Sequence, residues 1–331
     1  MITQAYRLKT VYVIGAGFSK EAGYPLTREF TYKTTINNFR KNLKKKEISR
    51  MENVTSYFLD RIKQKYCKND IEDVLNHLSV AEYLDMASTT EFKSKLYLSS
   101  NIYMDLIWYI VKILQWKSKQ KIPKEYFQFV KNIYENGDSI ISFNYDMLIE
   151  TVLRELDIVC DYGFNQKPIK NAQMLLKMHG SVNWSQCINC EYIALFSDNI
   201  AVKILSGNEK CPNCKKAGLA AVIVPPVLYK ENYFRNSELV KTVWGHANEI
   251  LSKAKKIVFI GFSMRTSDYY AQELFKLSSN MNRTKIDCLI VTKPKSRDEM
   301  NNLRKRYREI LVRDIIKTKQ MKFTKFVQRM N

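Results

Sequence analysis

The stretch TVYVIGAGFS, residues 10–19, decides how the chain is read. An apolar run, Val11 to Ile14, ends in Gly15-Ala16-Gly17, and a polar segment resembling a helix start follows. This is the pattern of a buried strand feeding a glycine turn, which brings backbone N–H groups against a phosphate. Gly15 and Gly17 are expected to permit close backbone approach, because a side chain there would hold a phosphate off. Lys20 stands where the full G-x-G-x-x-G pattern requires glycine, so a strand followed by an ordinary turn remains the competing reading.

Working outward, the 331 residues suffice for one large domain with insertions or for two domains. Hydrophobic residues make up 45% of the chain, enough for a sizeable core. The formal charge of +21 concentrates in 40–50 (RKNLKKKEISR) and from Arg304 onward. Nucleic acid, an acidic protein partner and a solvated lysine-rich surface all explain such charge, and no nucleic-acid recognition motif accompanies it. No signal peptide is read, and the apolar stretch Ile102–Leu114 is too short to span a bilayer and carries Asp105 and Lys112. The expectation is a soluble, cytoplasmic protein without a membrane segment, in which Cys67, Cys160 and Cys288 stay reduced.

After the glycine turn, 40–135 reads as helical, with apolar residues three and four apart in Ile71–Ala87 and Leu96–Trp116, and with Asn69 or Asp70 as a helix cap. Strand patterns return at Ser139–Phe143, Met174–Met178, Ala220–Val224, Lys256–Ile260 and Lys285–Val291, with helices at Met147–Leu156 and Ser237–Ala254. Strands alternating with helices predict an α/β fold, a Rossmann-like parallel sheet with helices on both faces. Polar residues follow nearly every strand, at the edge where open α/β sheets bind ligands.

Cys187-x-x-Cys190 and Cys211-x-x-Cys214 form two knuckles with the spacing of a zinc ribbon. Four thiolates leave no open position on Zn2+, so the site is read as structural. Unpaired core thiols are the alternative. Of the three histidines, His77 and His246 fall in helical patterns, whereas His179 follows a strand and precedes Gly180. That position suits a catalytic or ligand-contacting imidazole. Asn144 and Asp146 also follow a strand, and by themselves they equally suit capping of the next helix.

The order of these motifs resembles the sirtuin family over about Val11 to Val291. Gly15-Ala16-Gly17-Phe18-Ser19 is similar to the family's phosphate-binding turn, and Ser142-Phe143-Asn144-Tyr145-Asp146 stands in the place of TQNID. His179-Gly180 matches the catalytic histidine motif, and Gly261-Phe262-Ser263 matches the GTS turn. Phe143 replaces the glutamine of TQNID. The IPDFR segment is absent, and Tyr229-Lys230-Glu231 falls where deacylases carry FGE. In these departures, and in Ile71–Leu75 (IEDVL), the chain resembles the sirtuin-like NAD+ hydrolases of bacterial antiphage defence.

The resemblance implies NAD+ as substrate, cleaved to nicotinamide and ADP-ribose in abortive infection. His179, Asn144 and Asp146 would be catalytic; Gly15, Ala16, Gly17, Phe18, Ser19, Phe143, Gly261, Phe262 and Ser263 would contact NAD+. Protein-lysine deacylation and a non-catalytic NAD+ or ADP-ribose sensor are the alternatives. A homo-oligomer or a regulatory defence partner is expected, with nucleic acid not favoured. The implied layout is a discontinuous NAD-binding domain over 1–39, 136–182 and 216–295, a helical insertion over 40–135, a zinc module over 183–215 and a basic tail over 296–331.

Overall fold

The structure, a computed structural model, describes residues 9–63, 70–86, 93–207, 209–225, 238–265, 268–294, 296–312 and 314–330. Cys67, Asn69 and Tyr229-Lys230-Glu231 lie outside them. The chain opens with β1 (Thr10–Ile14) and the short α1 (Ala16–Ser19). Five helices follow: α2 (Lys33–Arg40), α3 (Lys45–Lys63), α4 (Ile71–Met86), α5 (Lys93–Lys117) and α6 (Lys124–Asn136). Next come β2 (Ser139–Ser142), α7 (Leu148–Glu155), β3 (Val159–Asp161), β4 (Ala172–Lys177), β5 (Gly180–Cys187), β6 (Ile193–Leu195), α8 (Ala201–Ile204) and β7 (Leu219–Ile223). The last elements are α9 (Glu238–Ser252), β8 (Lys256–Ile260), α10 (Tyr269–Met281), β9 (Asp287–Thr292), α11 (Arg297–Ile310), β10 (Ile315–Gln320) and α12 (Phe323–Val327).

Seven strands form one parallel sheet in the order β10-β9-β8-β1-β2-β4-β3. The central strands β1 and β8 are apolar without alternation and buried on both faces, as a sheet covered by helices on each side requires. From β1 the chain builds toward β2 and β4, then crosses back to add β8, β9 and β10 on the other side. The reversal lies between β1 and β8, and such switch points open the ligand crevice of doubly wound sheets. Register completes the placement. Ile14 is level with Ser142 and Ile260, and Ser142 with Lys177, so four adjacent strands end in one row.

The crossover from β1 to β2 carries the helical insertion. Asp70 starts α4 by accepting the Glu72 N–H on Oδ1 at 3.1 Å, the capping role expected of Asn69 or Asp70. Helix α5 is buried along 106–111. It is tied to neighbours by the Tyr109 hydroxyl donating to the Phe30 carbonyl and by Asn199 donating to the Val111 carbonyl. The charges that interrupt its apolar run are paired, Asp105 with Arg50 and Lys112 with Glu47. No helix among the described residues is long and apolar enough to cross a membrane.

Two readings of the sequence change. The strand expected near Ala220–Val224 is not in the parallel sheet. As β7 it pairs antiparallel with β5, in a separate three-stranded sheet of order β6-β5-β7. The segment read as a basic tail forms α11, β10 and α12, and β10 extends the main sheet beside β9. Its lysines alternate with Ile316 and Thr318 on an exposed edge strand, which masks the strand pattern in the sequence. Its apolar residues are structural: Phe323 packs on Phe18, Tyr126 and Phe129, and the Tyr307 hydroxyl donates to the Phe262 carbonyl at 2.9 Å.

Candidate active site and metal centre

The row of strand ends sets Gly15, Phe143–Asp146, Met178-His179 and Gly261 side by side. The ladders run one residue past the strands: Gly15 N–H donates to the Ile260 carbonyl, Phe143 N–H to Ile14 and Met178 N–H to Ser142. The glycine turn then locks against the turn after β8, through Gly17 N–H donating to the Gly261 carbonyl at 3.0 Å. A Cβ on Gly17 would lie 2.7 Å from the Gly261 Cα, and one on Gly261 would lie 2.3 Å from the Gly17 carbonyl carbon. The glycines are therefore required by the contact between two backbones, a reason the sequence reading assigned to phosphate approach. Gly261 also has a φ of +59°, in the left-handed region. Gly261→Ala is expected to cost about 2–4 kcal/mol from strain and overpacking, measured as a fall in the denaturation midpoint.

The turn's donors are largely engaged within the chain, since Phe18 N–H bonds back to the Gly15 carbonyl. The Phe18 side chain points into the core, edge-on to Tyr126. Ser19 is buried and central: its hydroxyl donates to Asp146 Oδ2 at 2.9 Å and accepts from Asn144 Nδ2 at 3.1 Å. Asn144 Nδ2 also donates to the Gly15 carbonyl at 3.0 Å. Asp146 keeps its capping role as well, with Oδ1 accepting from the Leu148 N–H. Burial pushes the Asp146 carboxyl above the usual carboxylate range, opposed by the nearby Lys177 ammonium and by the Leu148 and Ser19 donors.

His179 is held where β4 passes into β5. Its carbonyl accepts from Val224 N–H at 2.8 Å, and Gly180 follows with φ +74° and room for no Cβ, the Val222 carbonyl oxygen lying 2.0 Å from where one would sit. The buried imidazole lies edge-on to Phe143, with ring centres 5.3 Å apart, and its Nε2 is 3.5 Å from Asp268 Oδ1. Phe143 in turn stacks on Phe262 at 4.4 Å, forming an apolar wall beside the imidazole. The structure thus brings Ser19, Asn144, Asp146 and His179 to adjacent strand ends. Ser263 follows on the β8 side with an exposed side chain, outside this network.

Several polar residues at the site escaped the sequence reading. Lys177 is almost fully buried, with its ammonium donating to Glu150 at 2.7 Å and to the Tyr145 and Asp146 carbonyls, so it fixes the loop after β2 from beneath. Arg265 pairs with Asp70 at 2.6 Å and Glu72 at 3.2 Å, which joins the start of α4 to the loop after β8. The IEDVL motif thereby acquires a role, because Glu72 belongs to it and Asp70 precedes it. A charged residue two before the histidine was the available signal for Lys177; Arg265 had none.

The four cysteines of the knuckles converge at one end of the small sheet, with all four Sγ atoms within 4.8 Å of one another. Cys187 and Cys214 are 3.7 Å apart, as are Cys190 and Cys211. Tetrahedral Zn2+ with Zn–S bonds of about 2.3 Å sets neighbouring sulfurs about 3.8 Å apart, so the cluster fits the ion. Backbone N–H groups of Asn189 and Asn213 point at the Cys187 and Cys211 sulfurs at 3.4 Å, favouring thiolates. With all four positions filled by protein, the metal would tie the turn after β5 to the knuckle that precedes β7 and activate no water. We expect one zinc per chain by elemental analysis, lost in Cys211→Ser. Chelation should lower the melting temperature while the network at the parallel strand ends remains competent until unfolding.

A family model described as the SIR2-like domain matches residues 138–312, more than half of the chain, from the strand before Asn144 to the helix under Phe262. No curated protein matches. Among solved structures the chain is similar to Sir2 bound to acetylated peptide, at 16% identity and a TM-score of 0.46, covering 97% of this chain and 91% of that one. It is also similar to a complex of Sir2, p53 peptide and NAD+, at 15% identity and 0.47, with the same coverage. A third is Sir2 with the inhibitor EX-527, 2'-O-acetyl-ADP-ribose and deacetylated p53 peptide, at 16% and 0.45, covering 97% and 92%.

Proposed function

The chain belongs to the SIR2-like domain family, and from that premise we propose that it cleaves the nicotinamide–ribose bond of NAD+ with water as the acceptor. The observation that supports this is the convergence of Asn144, Asp146, Ser19 and His179 at the ends of β1, β2 and β4, beside the sheet's switch point. In the reaction the C–N bond to ribose breaks and nicotinamide leaves with the electron pair. The oxygen of water then bonds to the ribose carbon, and the proton it loses passes to His179. In this reading Asn144, whose amide group is spent on the Gly15 carbonyl and Ser19, orients a ribose hydroxyl or the water through its side-chain carbonyl. Asp146, whose two oxygens accept from Ser19 and Leu148, acts on the cation that develops on the sugar through its charge. The Phe143–Phe262 wall keeps bulk water from that face, which strengthens these interactions.

Water is placed first as acceptor because Phe143 interrupts the TQNID pattern and Tyr229-Lys230-Glu231 replaces FGE. The same departures support a place among NAD+-depleting enzymes of antiphage defence. An acylated lysine is the second reading, because Sir2 structures with acetylated and p53 peptides are among those the chain is similar to. Product analysis by mass distinguishes the two. ADP-ribose formed from NAD+ alone supports the hydrolase. O-acetyl-ADP-ribose formed only with acetylated peptide supports the deacylase. Nucleotide bound but unchanged under both conditions would make the protein a sensor.

A further inference from the structure

Asp268 stands at the entry to α10, the position where an aspartate ordinarily caps the first helical N–H groups. Here its side chain makes no cap hydrogen bond to α10. The carboxylate is mostly buried, 14% exposed, and faces the imidazole of His179 with Oδ1 3.5 Å from Nε2. The two residues are 89 positions apart in sequence and come from opposite sides of the switch point, His179 after β4 and Asp268 after β8.

We propose that Asp268 is a positioning residue for His179, holding the proton of the neutral imidazole on Nε2 and orienting the ring so that Nδ1 is the proton acceptor. The inference rests on the NAD+-cleaving reading for its catalytic meaning, and on the geometry alone for the pairing. A carboxylate against one ring nitrogen fixes the tautomer and stabilises the imidazolium formed when the other nitrogen takes a proton. The 3.5 Å separation is within ion-pair range and shortens to a hydrogen bond with a small movement, as such pairs do when substrate is bound.

The other charged groups on the elements around His179 are already engaged. Lys177 is committed to Glu150 and the Asp146 carbonyl, and Asp146 to Ser19 and Leu148. The Tyr145 hydroxyl donates to the Val224 carbonyl, and Arg265 is paired with Asp70 and Glu72. Asp268 is thus the carboxylate at ion-pair distance from the ring among the described residues. Its backbone is pinned on two sides, since Asp268 N–H donates to the Arg265 carbonyl at 3.0 Å and the Asp268 carbonyl accepts from Gln272 N–H at 3.1 Å.

The test is an NMR titration of the histidine Cε1–H signals in the full chain, wild type against Asp268→Asn and Asp268→Glu. Only three histidines are present, and His179→Ala assigns the signal. Asparagine preserves the shape and removes the charge, so we expect the His179 midpoint to fall by about one pH unit or more in D268N, and to be largely restored in D268E. The acid limb of the pH profile of nicotinamide release should move to lower pH with it, with a loss in kcat larger than the change in KM. A His179 midpoint equal to wild type in a folded D268N protein overturns the proposal. Absence of nicotinamide release from the wild-type chain would remove the NAD+ reading, while the titration would still decide the pairing.

Discussion

Replacing His179 by alanine is expected to reduce nicotinamide release by about 10²–10⁴-fold, the span a positioned general base contributes. The reason is local. The imidazole follows the end of β4, it is buried beside the Phe143–Phe262 wall, and its carbonyl and the following glycine hold the backbone independently of the ring. On the proposed reading truncation therefore removes the proton acceptor, and it leaves the β4–β5 passage and its pairing with β7 in place. Circular dichroism and the melting transition should remain those of a folded protein. Turnover within threefold of wild type would remove His179 from the mechanism.

Lys177→Ala is expected to act through the fold instead. The ammonium is buried to 1% exposure and satisfies Glu150, itself 8% exposed, together with two carbonyls of the loop that carries Asn144 and Asp146. Removing one partner leaves a buried carboxylate uncompensated, at a cost of about 3–5 kcal/mol. The expected readout is a large fall in the urea midpoint, with activity lost because Asn144 and Asp146 are no longer held. Replacing both partners with apolar residues, as in K177M/E150L, should recover a good part of the stability, since an absent ion pair costs less than a broken one. Equal destabilisation in the single and double variants would show that the pair is not the source of the loss.

The sequence was most legible where chemistry and periodicity coincide. β1, β2, β4 and β8 are apolar runs ended by polar or glycine residues, and those endings place the site because parallel strands finish on one edge. The cysteine spacing carried the metal site for the same reason: two tight loops of fixed length leave little choice of geometry.

What was hidden followed from contacts distant in sequence. Gly15, Gly17 and Gly261 are legible as glycines, yet the backbone contact that demands them joins residues more than 240 positions apart. Lys177 reads as an interruption of a strand until Glu150 is found beside it. β3 is three residues long, and β10 alternates Ile316 and Thr318 with lysines, so neither rises above the local composition. Asp268 looks like a helix cap because one-dimensional signals record helix starts and not what lies across the sheet edge.

The most direct measurement is the release of nicotinamide from NAD+ by the purified full chain, without peptide, followed in parallel with Asn144→Ala. The account predicts stoichiometric nicotinamide and ADP-ribose from the wild-type protein and loss of both in the variant, which removes the side chain linking Gly15 to Ser19. Equal release by wild type and variant would contradict it, as would NAD+ left intact by a wild-type chain that binds it.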